Sequence, residues 1–378
     1  MTKSGFLSAS EAAAARAKVV EQHRAGLWPQ HSGTTVGEWL ESWYRAKVAA
    51  DAIRPTTAAC YRQHIDHYLV PHLGNLRLSQ LRGVHVTAMY VAVRLGRAEA
   101  IARYRQSSPG TAEVERGRGR GQALSNASVV RLHATLHAAL NAAVRAGECA
   151  ANVARQAEVP SGVRAKVRPW TPEAYGAFLD FVEGGQDRMA PLFHVAGHTG
   201  LRRGELCGLR WEDVDLERRS LVVRRQVVEA GSRVLVGKPK TRSGEDRVVD
   251  LDAGTVRVLS RWKSSQSQMD SAAEVSASGY VFTGPDGGRW HPSYITHRFA
   301  QLVSKAGVPR CRLHDLRHLC ASLQLAAGVD IAIVSKRLGH STYTITADTY
   351  CHLLPGVGRA AAEASAALVP RARARSAS

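Results

Sequence analysis

Hydrophobic residues in the first half of the chain recur at the three- and four-residue spacing of helices. Val36, Trp39, Leu40, Trp43 and Tyr44 form one stripe, behind a Thr35 and Glu38 pair spaced for a capping box. Pro55 and Thr56 open a second helix, with Tyr61, Ile65 and Tyr68 on one face, and Pro71-His72-Leu73-Gly74 breaks it. Leu78, Leu81 and Val84 lead into a third, ending near Leu95. The strongest stripe, Val129, Leu132, Leu136, Leu140 and Val144, follows a cap at Ser125 or Asn126. Residues 34–159 are therefore expected to form a bundle of about four helices.

Three stretches interrupt this pattern. Residues 1–33 are Ala-rich and polar, and predict a helix followed by a linker that identifies no activity. From 96 to 122 the chain contains Ser-Pro-Gly and an alternation of glycine with Arg116, Arg118 and Arg120, which predicts a basic loop in loose contact with phosphate. Residues 160–168 carry Arg164, Lys166 and Arg168 without apolar periodicity, so a basic linker and domain boundary are expected there.

The second domain, 169–356, opens with the cap Thr171-Pro172-Glu173 and helices near 172–184 and 188–198. Leu221-Val222-Val223, Val234-Leu235-Val236 and Arg247-Val248-Val249 then read as strands, with turns at Ala230-Gly231-Ser232 and Ser243-Gly244. From Thr255 the pattern is mainly helical, with a hairpin-like turn at Gly284-Pro285-Asp286-Gly287. Residues 357–378 predict a helix and a basic tail. The fold class is thus mainly α, with a small antiparallel sheet in the second domain.

Charge changes the picture. The 378 residues hold 51 Lys plus Arg against 32 Asp plus Glu, a net +19. That excess points to a polyanionic partner, with nucleic acid the default. It is shared by both halves, about ten charges in each, so a contact confined to one end is not expected. No run of about 18 apolar residues is present to span a bilayer, and the N-terminus lacks a signal-peptide core; a cytoplasmic protein is expected. The six cysteines are scattered with no C-x-x-C pair, and reduced, structurally buried thiols are expected.

Four separated segments carry chemistry that fits together. Arg202 follows Thr199-Gly200-Leu201 at a helix start, where free N–H groups and a guanidinium can clamp phosphate, and Glu205 shares its face. Taken alone, this also fits a helix-start arginine in a surface ion pair. Lys240, on what reads as a hairpin tip, can protonate a departing alkoxide, with Lys238 its competitor and a solvated turn the plain alternative. His314 and Arg317 lie three apart. His318 opens a zinc reading with His314 and His340, but the H-E-x-x-H glutamate is missing and an arginine would repel a cation, so phosphate suits the cluster better. His340 follows the helix-ending Gly339, and Tyr350 lies on the next helical stretch, where a tyrosine can be a nucleophile or a packing residue; Tyr343 has the same claim.

Taken in order, Thr199-Gly200-Leu201-Arg202-Arg203-Gly204-Glu205, Pro239-Lys240-Thr241, His314-Asp315-Leu316-Arg317-His318, Leu338-Gly339-His340 and Asp348-Thr349-Tyr350 resemble the tyrosine recombinases, or phage-type integrases. The resemblance spans Thr171 to Pro355, and the helical bundle is similar to that family's core-binding domain. It implies a site-specific recombinase that cuts and rejoins DNA through a 3′-phosphotyrosyl intermediate and integrates or excises a mobile element. It also implies roles. Arg202 and Arg317 would hold the scissile phosphate, Lys240 would be the acid, and His314 and His340 would assist. Tyr350 would be the nucleophile and Glu205 a support. Neither cofactor nor metal is implied. The implied partners are double-stranded DNA attachment sites, a homo-tetramer in the synaptic complex and an excision directionality factor. The competing readings are a type IB topoisomerase and a non-catalytic DNA-binding regulator on the same scaffold.

Overall fold

The computed structural model describes residues 8–24, 33–107, 124–161, 169–239, 241–272, 278–350, 363 and 365–368. The chain divides into two compact units, Met1–Arg164 and Ala165–Ser378.

In the first unit, α1 (Ala9–Arg24) precedes α2 (Val36–Ala49), whose capping box is formed: Thr35 accepts from the Glu38 N–H, and the Glu38 carboxylate accepts from the Thr35 N–H. Then α3 (Pro55–His64) continues through a π-helical stretch, Ile65–Leu69, into α4 (Val70–Leu73). From α2 onward, and together with α5 (Gly83–Ser107) and α6 (Asn126–Arg145), the helices bury Val36, Leu40, Ile65, Leu69, Leu132 and Leu136 in one cluster. Each such side chain contributes roughly 1.5–3 kcal/mol of transfer free energy. The expectation of a loop from 96 is corrected: α5 runs on to Ser107. Its added turns, Arg-Ala-Glu-Ala-Ile-Ala-Arg, are strong helix formers, and one Gly96 costs only about 1 kcal/mol against them.

The second unit packs α7 (Pro172–Gly184), α8 (Ala190–Thr199), α10 (Ala253–Ala272) and α11 (Pro292–Lys305) around a core. Within that core the rings of Phe178, Phe193 and Phe299 lie 5.2 to 5.7 Å apart. The short α9 (Arg203–Gly208) leads into the strands β1 (Val214–Asp215), β2 (Ser220–Val223), β3 (Gln226–Ala230), β4 (Arg233–Gly237) and β5 (Arg247–Asp250). These form two sheets. One is antiparallel in the order β1-β2-β5, with Val223 opposite Arg247; the other is the β3–β4 hairpin, turning at Gly231, whose φ is 64°. β1 and β3 are too short or too mixed to stand out in the sequence. Among the described residues α12 (Asp315–Ala326), α13 (Ile331–Leu338) and α14 (Tyr343–Tyr350) follow.

Candidate active site

The site begins where α8 stops. Gly200 takes the left-handed conformation, with φ of 67°, and a Cβ there would lie 2.5 Å from Leu338 Cδ2, so both the turn and the close approach require glycine. The chain leaves this turn extended at Arg202, the N-cap of α9. Glu205, at the third helical position, reaches back to accept from the Arg202 backbone N–H at 2.8 Å and from Arg202 Nη1 at 2.8 Å. Its side chain is fully enclosed, whereas that of Arg202 is 20% exposed.

A second arginine closes on the same carboxylate. Arg247 Nη1 and Nη2 lie 3.0 and 2.6 Å from the two Glu205 oxygens. Burial alone would raise the Glu205 carboxyl, but hydrogen bonds and charge from Arg247, then the charge of Arg202, hold it below the usual carboxylate range. Glu205 is therefore ionised between two guanidiniums, and the trio keeps one net positive charge.

The end of α13 gathers the arginines. Helix C-termini leave carbonyls without intrahelical donors and carry partial negative charge. Here Arg337 O accepts from Arg247 Nε at 3.1 Å, Leu338 O from Arg317 Nη2 at 2.6 Å, and Gly339 O from Arg202 Nη2 at 3.1 Å. Thr241 also donates to Gly339 O, at 3.2 Å. Arg317 Nη1 reaches back to Gly200 O at 2.7 Å. Three arginines from three separate elements thus meet on three consecutive carbonyls, next to His340.

His314 caps α12, three residues before Arg317, with its ring edge-on to His318 at 5.2 Å. Burial, then the His318 and Arg317 charges, lowers it to about 4. His340 Nδ1 is hydrogen-bonded to Thr346 Oγ1 at 2.8 Å, and burial followed by the charges of Arg317 and Arg202 lowers it to about 3. Both rings are neutral at pH 7 and flank a cationic centre, an arrangement that suits an anion and leaves imidazole nitrogens able to accept protons. Among the described residues no group of three His, Cys, Asp or Glu could hold a metal ion.

Tyr343 opens α14 with its side chain 66% exposed, and Tyr350 is the last residue of that helix, one turn beyond Thr346. Lys240 lies outside the described residues, between Pro239 and Thr241. Its segment joins β4 to β5, which belong to different sheets, so the expected hairpin tip is corrected: β5 pairs with β2, and the tip belongs to β3–β4. Lys238 is engaged in an ion pair with Glu245. Arg116, Arg118, Arg120, Arg164, Lys166 and Arg168 all fall outside the described residues. Two site residues were not singled out from sequence, Thr346 and Arg247. For the arginine, the signal was present in Arg247-Val248-Val249-Asp250, where alternation puts it on the buried face with Val249.

The model of the phage integrase family matches residues 171–356, and that of the phage integrase N-terminal SAM-like domain matches 35–91. A tyrosine recombinase XerC-like protein of Caldanaerobacter subterraneus subsp. tengcongensis is 25% identical over 366 residues, covering 91% of this chain and 86% of the relative. The ICEBs1 integrase of Bacillus subtilis is 28% identical, over 51% of this chain and 52% of its own length. In fold, the chain resembles the Tn1549 transposon integrase in complex with transposon right end DNA, with a TM-score of 0.68 at 20% identity over 88% of this chain and all of that one.

Proposed function

Because the chain belongs to the phage integrase family of tyrosine recombinases, we propose that Arg202, Arg317, His314, His340, Lys240 and Tyr350 act together to cut and rejoin DNA strands at attachment sites of a mobile element. The observation that carries the assignment is the convergence of Arg202 and Arg317 on the adjacent carbonyls of Gly339 and Leu338, beside His340. Two guanidiniums fixed side by side can neutralise the non-bridging oxygens of one phosphodiester and stabilise the charge that grows there in the transition state.

The Tyr350 hydroxyl attacks the phosphorus and passes its proton to His314. As the O–P bond to tyrosine forms, the bond to the 5′-oxygen breaks, and Lys240 supplies that oxygen with a proton. The product is a 3′-phosphotyrosyl bond and a free 5′-hydroxyl. Attack by the 5′-hydroxyl of a partner strand reverses the step, so the linkage conserves its energy and requires no nucleotide. A bound phosphate adds negative charge beside His314 and raises its proton affinity from the depressed level of the DNA-free site. His340, steadied by Thr346, hydrogen-bonds the phosphate.

Exchange between two duplexes places four protomers in the synaptic complex, and a separate directionality factor governs excision. The reaction belongs to the bacterial cytoplasm, where the DNA is. Incubation with a nicked duplex carrying the attachment site tests the reading. A protein–DNA adduct that survives denaturant, is retained by Tyr343→Phe and is lost in Tyr350→Phe with DNA binding intact is expected. An adduct that persists in Tyr350→Phe would sink the assignment, and relaxation of supercoils without joining of two sites would make the protein a topoisomerase instead.

A further inference from the structure

We propose that Arg247 is a positioning residue for strand cleavage, fixing the Arg202 guanidinium through Glu205 and the connection that carries Lys240 through Gly244. The proposal rests on the roles given above to Arg202 and Lys240. Arg247 stands at the first position of β5 and is 7% exposed. It makes four hydrogen bonds: to both Glu205 oxygens, to the Gly244 carbonyl at 3.1 Å and to the Arg337 carbonyl at 3.1 Å. All of these partners are protein groups, and two of them are the oxygens of the carboxylate that also holds Arg202, so Arg247 acts on the Arg202–Glu205 pair.

Three observations give that task content. First, Glu205 Oε1 is shared, 2.8 Å from Arg202 Nη1 and 3.0 Å from Arg247 Nη1. With Arg247 holding both carboxylate oxygens in a fork, the carboxylate plane is set, and that plane sets the tilt of the Arg202 fork. Second, Glu205 alone would cancel the charge of Arg202; the second guanidinium restores a net positive charge facing the phosphate. Third, Arg247 is tied to both ends of the working surface. It anchors Gly244, in the connection after Lys240, and Arg337, in the last turn of α13 before His340. A Cβ on Gly339 would sit 3.0 Å from Arg247 Cδ and 3.0 Å from Gly244 Cα, so these parts are in close contact. The strand registers Arg247 against Val223, and the sheet therefore sets the clamp's position.

The test compares the full-length protein with Arg247→Ala and Arg247→Lys, measuring the single-turnover rate of adduct formation on a nicked attachment-site duplex and, separately, DNA affinity. Arg247→Ala should lose about 10- to 100-fold in cleavage rate, the scale expected when a reacting group is misplaced by around an ångström, with duplex affinity within about threefold of the unaltered protein, since no DNA contact is removed. Arg247→Lys, which keeps the charge but not the fork, should recover only part of the rate. Millimolar guanidinium chloride, well below denaturing levels, should raise the rate of Arg247→Ala by filling the vacated site and leave the unaltered protein unaffected. An Arg247→Lys protein that cleaves at the full rate would overturn the proposal. So would a loss in Arg247→Ala that follows thermal unfolding and is not restored by guanidinium. If the unaltered protein forms no adduct at all, the failure lies with the assignment of Tyr350 and not with Arg247, whose effect on the tilt of Arg202 is then read from the guanidinium Nε resonance of Arg202; an unshifted Arg202 resonance in Arg247→Lys would count against the clamp.

Discussion

Arg317 donates to the carbonyl of Gly200 at 2.7 Å, across 117 residues of sequence, while its other nitrogen holds Leu338 O at 2.6 Å. The side chain is 3% exposed and bridges the end of α8 to the end of α13. Replacing Arg317 by alanine strands two inward-facing carbonyls, each costing about 1–3 kcal/mol when left without a donor. Arg317→Ala should therefore lower the melting temperature of the second unit as well as abolish cleavage, whereas Tyr350→Phe should abolish cleavage alone. Calorimetry of the two variants checks this.

Glu205 gives a stricter case. With its carboxylate enclosed between Arg202 and Arg247, Glu205→Gln leaves two guanidiniums facing each other around a neutral group. Breaking a buried ion pair from one side typically costs about 3–5 kcal/mol. Urea unfolding of Glu205→Gln should show a loss of that order, and an unchanged midpoint would mean that the carboxylate is not needed as a counter-charge.

Gly339 is predicted to resist even alanine. Its φ of 68° and the 3.0 Å approach of Arg247 Cδ and Gly244 Cα leave a methyl group neither conformation nor room. The strained backbone alone costs about 1–3 kcal/mol. Gly339→Ala should lose both stability and cleavage, while Gly231→Ala, with φ of 64° but nothing within 4 Å, should lose only that backbone cost in stability and keep its cleavage rate.

Acid should loosen the DNA-free protein from an unusually high pH. His314 and His340 are lowered to about 4 and about 3 by burial and by neighbouring positive charge. An unfolded chain binds those protons near ~6.5, so the stability contributed by the two neutral rings is complete above that value and is lost as pH falls from it toward 4. Glu205, with its depressed carboxyl, adds a loss in the same direction at lower pH. Melting temperatures from pH 8 to 5 should decline, and less steeply in His340→Gln; a flat profile would contradict the buried neutral state.

Lys238 is ion-paired with Glu245 on an exposed surface. Lys238→Ala should cleave at close to the normal rate. Lys240→Ala should be slow on ordinary DNA and recover on a substrate with a 5′-bridging phosphorothiolate, whose leaving group needs no proton. Recovery in Lys238→Ala instead would exchange the roles.

Much of this arrangement was legible in the chain because it depends on local signals. The Thr35 capping box, the glycine stops at Gly200 and Gly339, and the apolar stripe of α6 each declare themselves within a few residues. What periodicity could not show is pairing at a distance. That β5 joins β2 rather than β4 is a pairing between strands more than twenty residues apart, which no local signal reports, and so the Lys240 connection read as a hairpin tip. Arg247 escaped notice for a related reason. Strand alternation places it on the buried face with Val249, but its pairing with Glu205, 42 residues away, has no local signal. The end of α5 was obscured by Gly96, whose cost a run of helix formers outweighs.

The separation of the two sheets also bears on how freely this protein could be altered. The chain leaves the three-stranded sheet at Val223 and rejoins it on the same rung at Arg247. Everything between, including the β3–β4 hairpin, is an excursion whose length the sheet does not register. Doubling such a loop adds only about 0.6 kcal/mol of closure entropy. The Gly231–Ser232 tip is therefore a natural place to graft a reporter peptide or a targeting module, because extra residues there would leave the rung that seats Arg247 where it is.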